Sequence, residues 1–166
     1  MPTQQSDVTI SLELPDQPDV LPLIEAAHAF GEDLYPPESN HYLGIQALKG
    51  PDIRFFVARR NGGAIGCGAI WLRPTVVVSG GFGPDGFGEV KQMYVDPAAR
   101  GLGVARKLLA KIEAEARHSN LPILRLETGV YSHDALRLYR AAGFTDRGPF
   151  AEYSPDPMSV FMEKSL

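Results

Sequence analysis

Arg100-Gly101-Leu102-Gly103-Val104-Ala105-Arg106 joins a β-rich run to a helical one, and its residue types suit the binding of an anion. The first amides of a helix lack intrahelical partners and carry the positive end of its dipole. A phosphate placed there satisfies several donors at once. Gly101 and Gly103 have no Cβ, which lets backbone N–H groups approach the oxygens closely, and Ala105 stays small for the same reason. Arg100 and Arg106 add positive charge around the same position. Two better-known phosphate motifs do not account for the segment. The dinucleotide fingerprint G-x-G-x-x-G needs a small residue where Arg106 stands, and a P-loop needs Gly-Lys-Ser/Thr at its end. On spacing alone, the alternative is a tight strand-to-helix turn with no ligand.

The other reactive residue types form no such constellation. The chain has 1 cysteine, Cys67, which cannot form an internal disulfide and reads as a small buried packing residue in a strand. His28, His41, His118 and His133 lack metal-ligand spacing, so no metal is expected. Lys and Arg number 16 against 20 Asp and Glu, a net charge of -4. That balance argues against a phosphate-neutralising nucleic-acid surface and is compatible with a cationic acceptor such as an amine.

The turn must be positioned by the elements around it. Val8 to Leu14 alternates apolar and polar residues as a strand does, and Val20, Leu23, Ile24, Ala27 and Phe30 recur at helical spacing up to Gly31. After Tyr35-Pro36-Pro37, His41 to Leu48 reads as a short second helix. Ile53 to Arg59 and Ile65 to Leu72 flank Asn61-Gly62-Gly63 as two antiparallel strands. The glycine-rich stretch Ser79 to Gly88 reads as a loop, a rim over a site or an inert insertion. Glu89 to Val95 is then a strand, and Val104, Leu108, Leu109 and Ile112 line one face of a helix running to about His118. Leu121 to Thr128 is a strand again. Ser132 can cap a helix stopped by Gly143, and Pro157 to Glu163 closes as a last strand. An early hairpin followed by a strand-helix-strand unit predicts a mixed α/β fold with helices on both faces of the sheet.

Arg100, Gly103 and Ala105 match the pattern Arg/Gln-x-x-Gly-x-Gly/Ala of the GNAT acetyltransferase superfamily, and Met93-Tyr94-Val95-Asp96-Pro97 before them resembles it too. A second signature stands at the expected distance. Ser132-x-x-Ala135-x-x-Leu138-Tyr139-x-x-x-Gly143-Phe144 is similar to that superfamily's helix-and-strand motif, with serine where an asparagine is often found. The ending Pro157 to Lys164 resembles a bacterial subgroup. The pair of motifs covers about Glu89 to Phe144.

The resemblance implies an α+β fold: a mostly antiparallel sheet of six or seven strands, with a central strand pair splayed apart to admit the pantetheine arm of acetyl-CoA. Met93, Tyr94 and Val95 would line that arm, a main-chain amide near Met93 would bind the thioester carbonyl as an oxyanion site, and Arg100, Gly101, Gly103, Val104, Ala105 and Arg106 would hold the pyrophosphate, with Ser132 a further contact. An ammonium acceptor must lose a proton before it attacks, so a carboxylate at the strand start is the natural base. Glu89 is the candidate and Glu127, on the partner strand, its rival. Tyr139 matches the position whose hydroxyl often protonates the leaving thiolate. Glu32, Asp33, Tyr35 and Tyr42 are candidates for binding a cationic acceptor beside an aromatic ring.

The expected activity is therefore acetyl transfer from acetyl-CoA to a primary amine of a small molecule or peptide by direct attack in a ternary complex. A non-catalytic acyl-CoA-binding regulatory module is the alternative. The 166 residues are expected to form a single domain. Ala64 to Leu72 is far short of the roughly 20 residues that span a membrane, and Met1 to Ile10 lacks the pattern of a secretory signal. A cytoplasmic location without membrane partners follows as the expectation, with a homodimer as the expected assembly.

Overall fold

Asn61 and Gly62 have φ of 52° and 80°, as the two centre residues of a type I′ hairpin require, and the chain turns back there so that Arg60 pairs with Gly63. This hairpin lies within a sheet described by a computed structural model of residues 7–73, 77–78, 81–82 and 86–166. In chain order the elements are β1 (Thr9–Leu12), α1 (Leu21–Leu34), α2 (Ile45–Leu48), β2 (Ile53–Arg60), β3 (Gly63–Arg73), β4 (Val77–Val78), β5 (Gly81–Phe82), β6 (Phe87–Val95), α3 (Val104–His118), β7 (Ile123–Gly129), α4 (His133–Ala141), β8 (Thr145–Arg147) and β9 (Ser159–Ser165). Seven strands form one sheet in the order β1-β2-β3-β6-β7-β9-β8, and β4 pairs with β5 apart from it. Within the seven-stranded sheet β6 and β7 run parallel and every other neighbouring pair is antiparallel.

Alternation along each strand sorts the apolar residues to two faces. Phe55, Val57, Cys67 and Ala69 pack on Val20 and on Leu23, Ile24 and Leu48 of the first two helices. Phe56, Ala58, Ile70, Val90, Leu124, Leu126 and Met162 pack on Val104, Leu108, Leu109 and Ile112 of α3 and on Leu136 and Tyr139 of α4. The sheet is therefore covered by helices on both sides, as its sequence pattern predicts. Cys67 is buried on the first of these faces, where desolvation pushes its thiol pKa up to about 12.

Several boundaries differ from the sequence expectation for identifiable reasons. Helix α1 runs through Gly31 to Leu34, and the glycine there serves packing rather than termination: a Cβ would lie 2.7 Å from Asn40 Oδ1. The second helix is a single turn. His41 stays outside it, and its carbonyl accepts instead from Lys91 Nζ at 3.0 Å. The last strand starts at Ser159 because Asp156 holds a turn before it, accepting from the backbone N–H of Met158 at 2.8 Å through its side chain and from that of Ser159 at 3.0 Å through its carbonyl. Phe87 and Gly88, read as loop, begin β6. Ser79, Gly80 and residues 83–85 of the glycine-rich stretch lie outside the described residues.

The parallel pair opens early. Its recorded register is Gly88 with Leu124 and Glu89 with Arg125, although β6 continues to Val95 and β7 to Gly129. Each strand stays bound to its outer neighbour beyond that point: β6 to β3 as far as Val95, β7 to β9 as far as Gly129. The inner edges of β6 and β7 therefore splay apart toward their carboxyl ends. A bulge assists the opening. Gln92 and Met93 together stand opposite Gly68, where the β3–β6 register shifts, and Gln92 has a φ of 53°.

Candidate active site

The chain leaves the splayed end of β6 through Asp96, whose carboxylate accepts from the Ala98 N–H at 3.0 Å, and a short 3-10 turn at Pro97–Ala99. Between Arg100 and α3 the backbone amides lack backbone partners. Arg100 N donates to the Pro97 carbonyl and Lys107 N to that of Gly103, whereas no backbone acceptor is recorded for residues 101–103, and the first amides of α3 have none by helix geometry. Gly101 and Gly103 have φ of 82° and 72°, and a Cβ built on either meets nothing within 4 Å. The conformation favours glycine, and the space above it is open. Arg100 and Arg106 are exposed and form no ion pair among the described residues. A pyrophosphate fits this cradle of N–H donors at a helix start.

Two carboxylates approach the opening, in contrasting surroundings. Glu89 is fully buried. Its Oε1 accepts from Arg73 Nη1 at 2.8 Å; its Oε2 accepts from the Tyr153 hydroxyl at 2.5 Å and lies 3.1 Å from Lys91 Nζ. Lys91 Nζ also donates to the Tyr153 oxygen at 2.7 Å, and Arg73 forms a second ion pair with Glu152 at 2.6 Å. Glu127 stands on β7 two residues beyond Arg125, where the pair has already parted, and forms no ion pair among the described residues. Burial raises its pKa to about 7 against the downward pull of the Ser159 hydroxyl and Lys91. The Ser159 oxygen is itself sealed from solvent with no partner in hydrogen-bonding geometry.

Tyr139 projects from α4 into the apolar core, 5% exposed, and packs edge-on against Phe144. Its helix ends as the sequence predicts. Gly143, with φ of 97°, donates to the Arg140 carbonyl, and Phe144 N reaches back to that of Tyr139 at 3.0 Å, a Schellman closure that fixes the tyrosine's turn. Burial, with the Glu127 carboxylate adding to it, pushes the phenol pKa up, so the proton stays on oxygen at neutral pH.

The sequence model of the Acetyltransferase (GNAT) family matches residues 20–144. The chain belongs to that family. It is 52% identical over 160 residues to a protein named IAA acetyltransferase in Azospirillum brasilense, covering 96% of this chain and 99% of the relative. Among solved structures, a putative acyl-CoA N-acyltransferase from Klebsiella pneumoniae is 38% identical, with a TM-score of 0.74 over 96% of this chain and 97% of that one. The fold also matches a PaiA N-acetyltransferase from Thermoplasma acidophilum in complex with coenzyme A, at 15% identity and a TM-score of 0.68, covering 96% of this chain and 99% of the other. This protein is thus a GNAT acetyltransferase, an acyltransferase built on the mixed, mostly antiparallel sheet of that family. Among the described residues no helix is long and apolar enough to cross a membrane, and no group of three or more His, Cys, Asp or Glu could hold a metal.

Of the sequence candidates, the turn follows the splayed end of β6, Tyr139 lies within electrostatic reach of Glu127, and Glu89 is enclosed in an ion-pair cluster. The fold disperses the residues proposed for the acceptor. Tyr42 and Glu32 do meet, the hydroxyl donating to Oε1 at 2.9 Å, and the Tyr42 ring stacks on His28 with centroids 3.8 Å apart. Gln92, at the bulge, lies 3.4 Å from His28 Nε2. Tyr35 instead turns to the end of β7, where its hydroxyl lies 2.9 Å from Ser132 Oγ. Ser132 holds the N-cap position of α4 but makes no side-chain capping bond; its hydroxyl is taken by Tyr35. Sequence reasoning missed Arg73, Lys91 and Tyr153, the partners that occupy Glu89. A groove of about 330 Å³ between β1 and α3, lined by Ile10, Leu12, Phe56, Lys111 and His118, lies at the sheet edge, away from the splay.

Proposed function

We propose that this GNAT protein moves an acetyl group from acetyl-CoA to a primary amine of a small molecule or peptide, with Glu127 as general base and Tyr139 as donor to the leaving sulfur. The observation that carries the reading is the opening of the β6–β7 pair beyond Glu89 and Arg125, with the free amides of residues 101–106 at the end of one strand and Glu127 on the other. The turn binds pyrophosphate, with Val104 and Ala105 supplying amides and Arg100 and Arg106 charge. Met93, Tyr94 and Val95 present the unpaired edge of β6 to the pantetheine arm. When bound, acetyl-CoA supplies the activated acyl group as a thioester.

Glu127 takes the proton of the acceptor ammonium, because its pKa of about 7 matches the pH at which the transfer must run. The freed amine forms the new N–C bond as the C–S bond breaks, and a β6 amide near Met93 stabilises the charge that gathers on the carbonyl oxygen. Tyr139 keeps its proton at neutral pH and passes it to the departing sulfur, and the second proton that the nitrogen sheds as it becomes an amide restores the phenol. Glu89 has another task in this scheme. Fully buried and with both oxygens bonded, it fixes Lys91 and the start of β6 and is shielded from an acceptor.

Thiol release on mixing the protein and acetyl-CoA with a panel of primary amines tests the reading, with IAA added because the Azospirillum brasilense relative is named for it. Acceptor-dependent release is the expected result. Binding of acetyl-CoA with no release by any acceptor would replace it with the regulatory-module reading. Tyr139→Phe is expected to lower kcat far more than it raises the KM for acetyl-CoA, as measured by the same assay.

A further inference from the structure

Gly129, the last residue of β7, has no room for a side chain: a Cβ there would lie 1.9 Å from both Cζ and the hydroxyl oxygen of Tyr35. The phenol is inserted at the carboxyl end of the splayed strand from a segment more than ninety residues earlier in the chain. There its oxygen accepts the backbone N–H of Tyr131 at 3.0 Å and lies 2.9 Å from Ser132 Oγ. The two tyrosine rings stack with centroids 5.9 Å apart, and Tyr35 is only 9% exposed. Ser132 is half-buried and spends none of its hydroxyl on capping α4.

The direction of the bond between the two hydroxyls follows from the protons available. Each hydroxyl has one proton to donate and two lone pairs to accept with. If Ser132 donated to Tyr35, the phenol proton would be left without an acceptor among the described residues, which is costly at a nearly buried site. If Tyr35 donates to Ser132, every proton inside the cluster is used and the Ser132 proton is left pointing out of it. A phenol is also the better donor of the two and an aliphatic hydroxyl the better acceptor. The chain therefore runs from Tyr131 N–H to Tyr35 O–H to Ser132 O–H, and it ends in a donor held at the mouth of the splay.

We propose that Tyr35 is a positioning residue for the coenzyme A arm, acting through Ser132: it fixes the serine hydroxyl so that its proton meets an acceptor oxygen of the bound pantetheine. The proposal rests on the reading that coenzyme A occupies the splay. It gives a use to the hydroxyl that Ser132 does not spend on capping its helix, and it explains why the residue before this loop is a glycine.

Calorimetric titration tests it without an acceptor. Coenzyme A and its nucleotide half lacking the pantetheine arm are titrated into the wild type, Tyr35→Phe, Ser132→Ala and the double variant. Each single variant is expected to weaken coenzyme A about three- to tenfold, the worth of one hydrogen bond. The double variant should be no weaker than Ser132→Ala alone, and the nucleotide half should bind all four proteins equally. Gly129→Ala, which displaces the phenol and keeps its hydroxyl, should reproduce the loss. Unchanged coenzyme A affinity in Ser132→Ala or Tyr35→Phe, additive losses in the double variant, or an equal loss for the nucleotide half would each overturn the proposal. Failure of the wild type to bind coenzyme A at all would overturn the acyl-donor reading and this one with it, whereas normal wild-type binding beside an unaffected Ser132→Ala overturns this one alone.

Discussion

Glu89 and Glu127 stand on neighbouring strands of one sheet, and the fold treats them oppositely. Glu89 lies where β6 and β7 are still paired, fully buried, with Arg73, Lys91 and Tyr153 occupying both of its oxygens. Glu127 lies just past the point where the strands part and has no cation in contact among the described residues. A buried charge persists only if it is paired and hydrogen-bonded; a partly buried carboxyl without partners instead raises its pKa toward neutrality. The difference separates a carboxyl locked in a structural cluster from a group that can exchange a proton near pH 7. Past the point where the strands part, burial acts on Glu127 with no ion pair among the described residues to offset it.

The largest effect that would test this contrast is on turnover. Glu127→Gln is expected to lower kcat/KM by about two to four orders of magnitude, the usual worth of a general base, while leaving acetyl-CoA affinity nearly unchanged. Steady-state kinetics with the best acceptor of the amine panel measures it. A variant retaining most of its rate would break the comparison, because the proton would then be leaving through water alone.

Glu89→Gln should do the reverse. Removing one member of a buried ion-pair cluster leaves uncompensated charge and costs about 3–5 kcal/mol. Arg73 keeps Glu152 as a partner, so the loss belongs at the lower end of that range. Urea unfolding should show it as a lower midpoint, with the surviving folded protein still transferring acetyl groups. Loss of activity without loss of stability would return the base role to Glu89.

Much of this site could be read from the chain, for reasons that also explain what could not. The turn was legible because two glycines at a strand-to-helix junction state a backbone requirement locally, and both do adopt positive φ. Gly143 was legible as a helix stop for the same reason. The Glu89 cluster was not, because Arg73, Lys91 and the Glu152-Tyr153 pair come from three separate segments and each, taken alone, reads as ordinary surface. Tyr35 was grouped with Glu32 and Asp33 by nearness in sequence, but it follows the end of α1 in an extended conformation, with φ of -129° and ψ of 148°. Its true neighbours, Gly129 and Ser132, are visible only once β7 is in place. Gln92 carries no glycine or proline to announce the bulge it forms.

The pH dependence separates the two carboxylates more finely. In the wild type, kcat/KM should fall below a midpoint near pH 7, where Glu127 takes up its proton. Glu89→Gln should preserve that limb and Glu127→Gln abolish it. Stability should move the other way. The folded pKa of Glu127 lies above its ordinary value of 4.5, so protonation favours the folded state. This carboxyl's contribution is fully present below about pH 4.5 and is lost as the pH rises through about 7. Unfolding of the wild type and of Glu127→Gln across that interval should therefore diverge, the wild type losing stability that the glutamine variant retains.

The smallest expected effect links the two groups through Lys91. Its ammonium touches Glu89, Tyr153 and the His41 carbonyl, but its charge is also felt by Glu127, whose pKa it lowers. Lys91→Met keeps an apolar stem of similar length and removes the charge, so the acid limb of the pH–rate profile should move upward without disappearing. The direction is the informative part. A Glu127 isolated from the Glu89 cluster would leave the limb where it was. An upward displacement means that the buried cluster, without touching the acceptor, sets the pH at which the neighbouring carboxylate becomes a base.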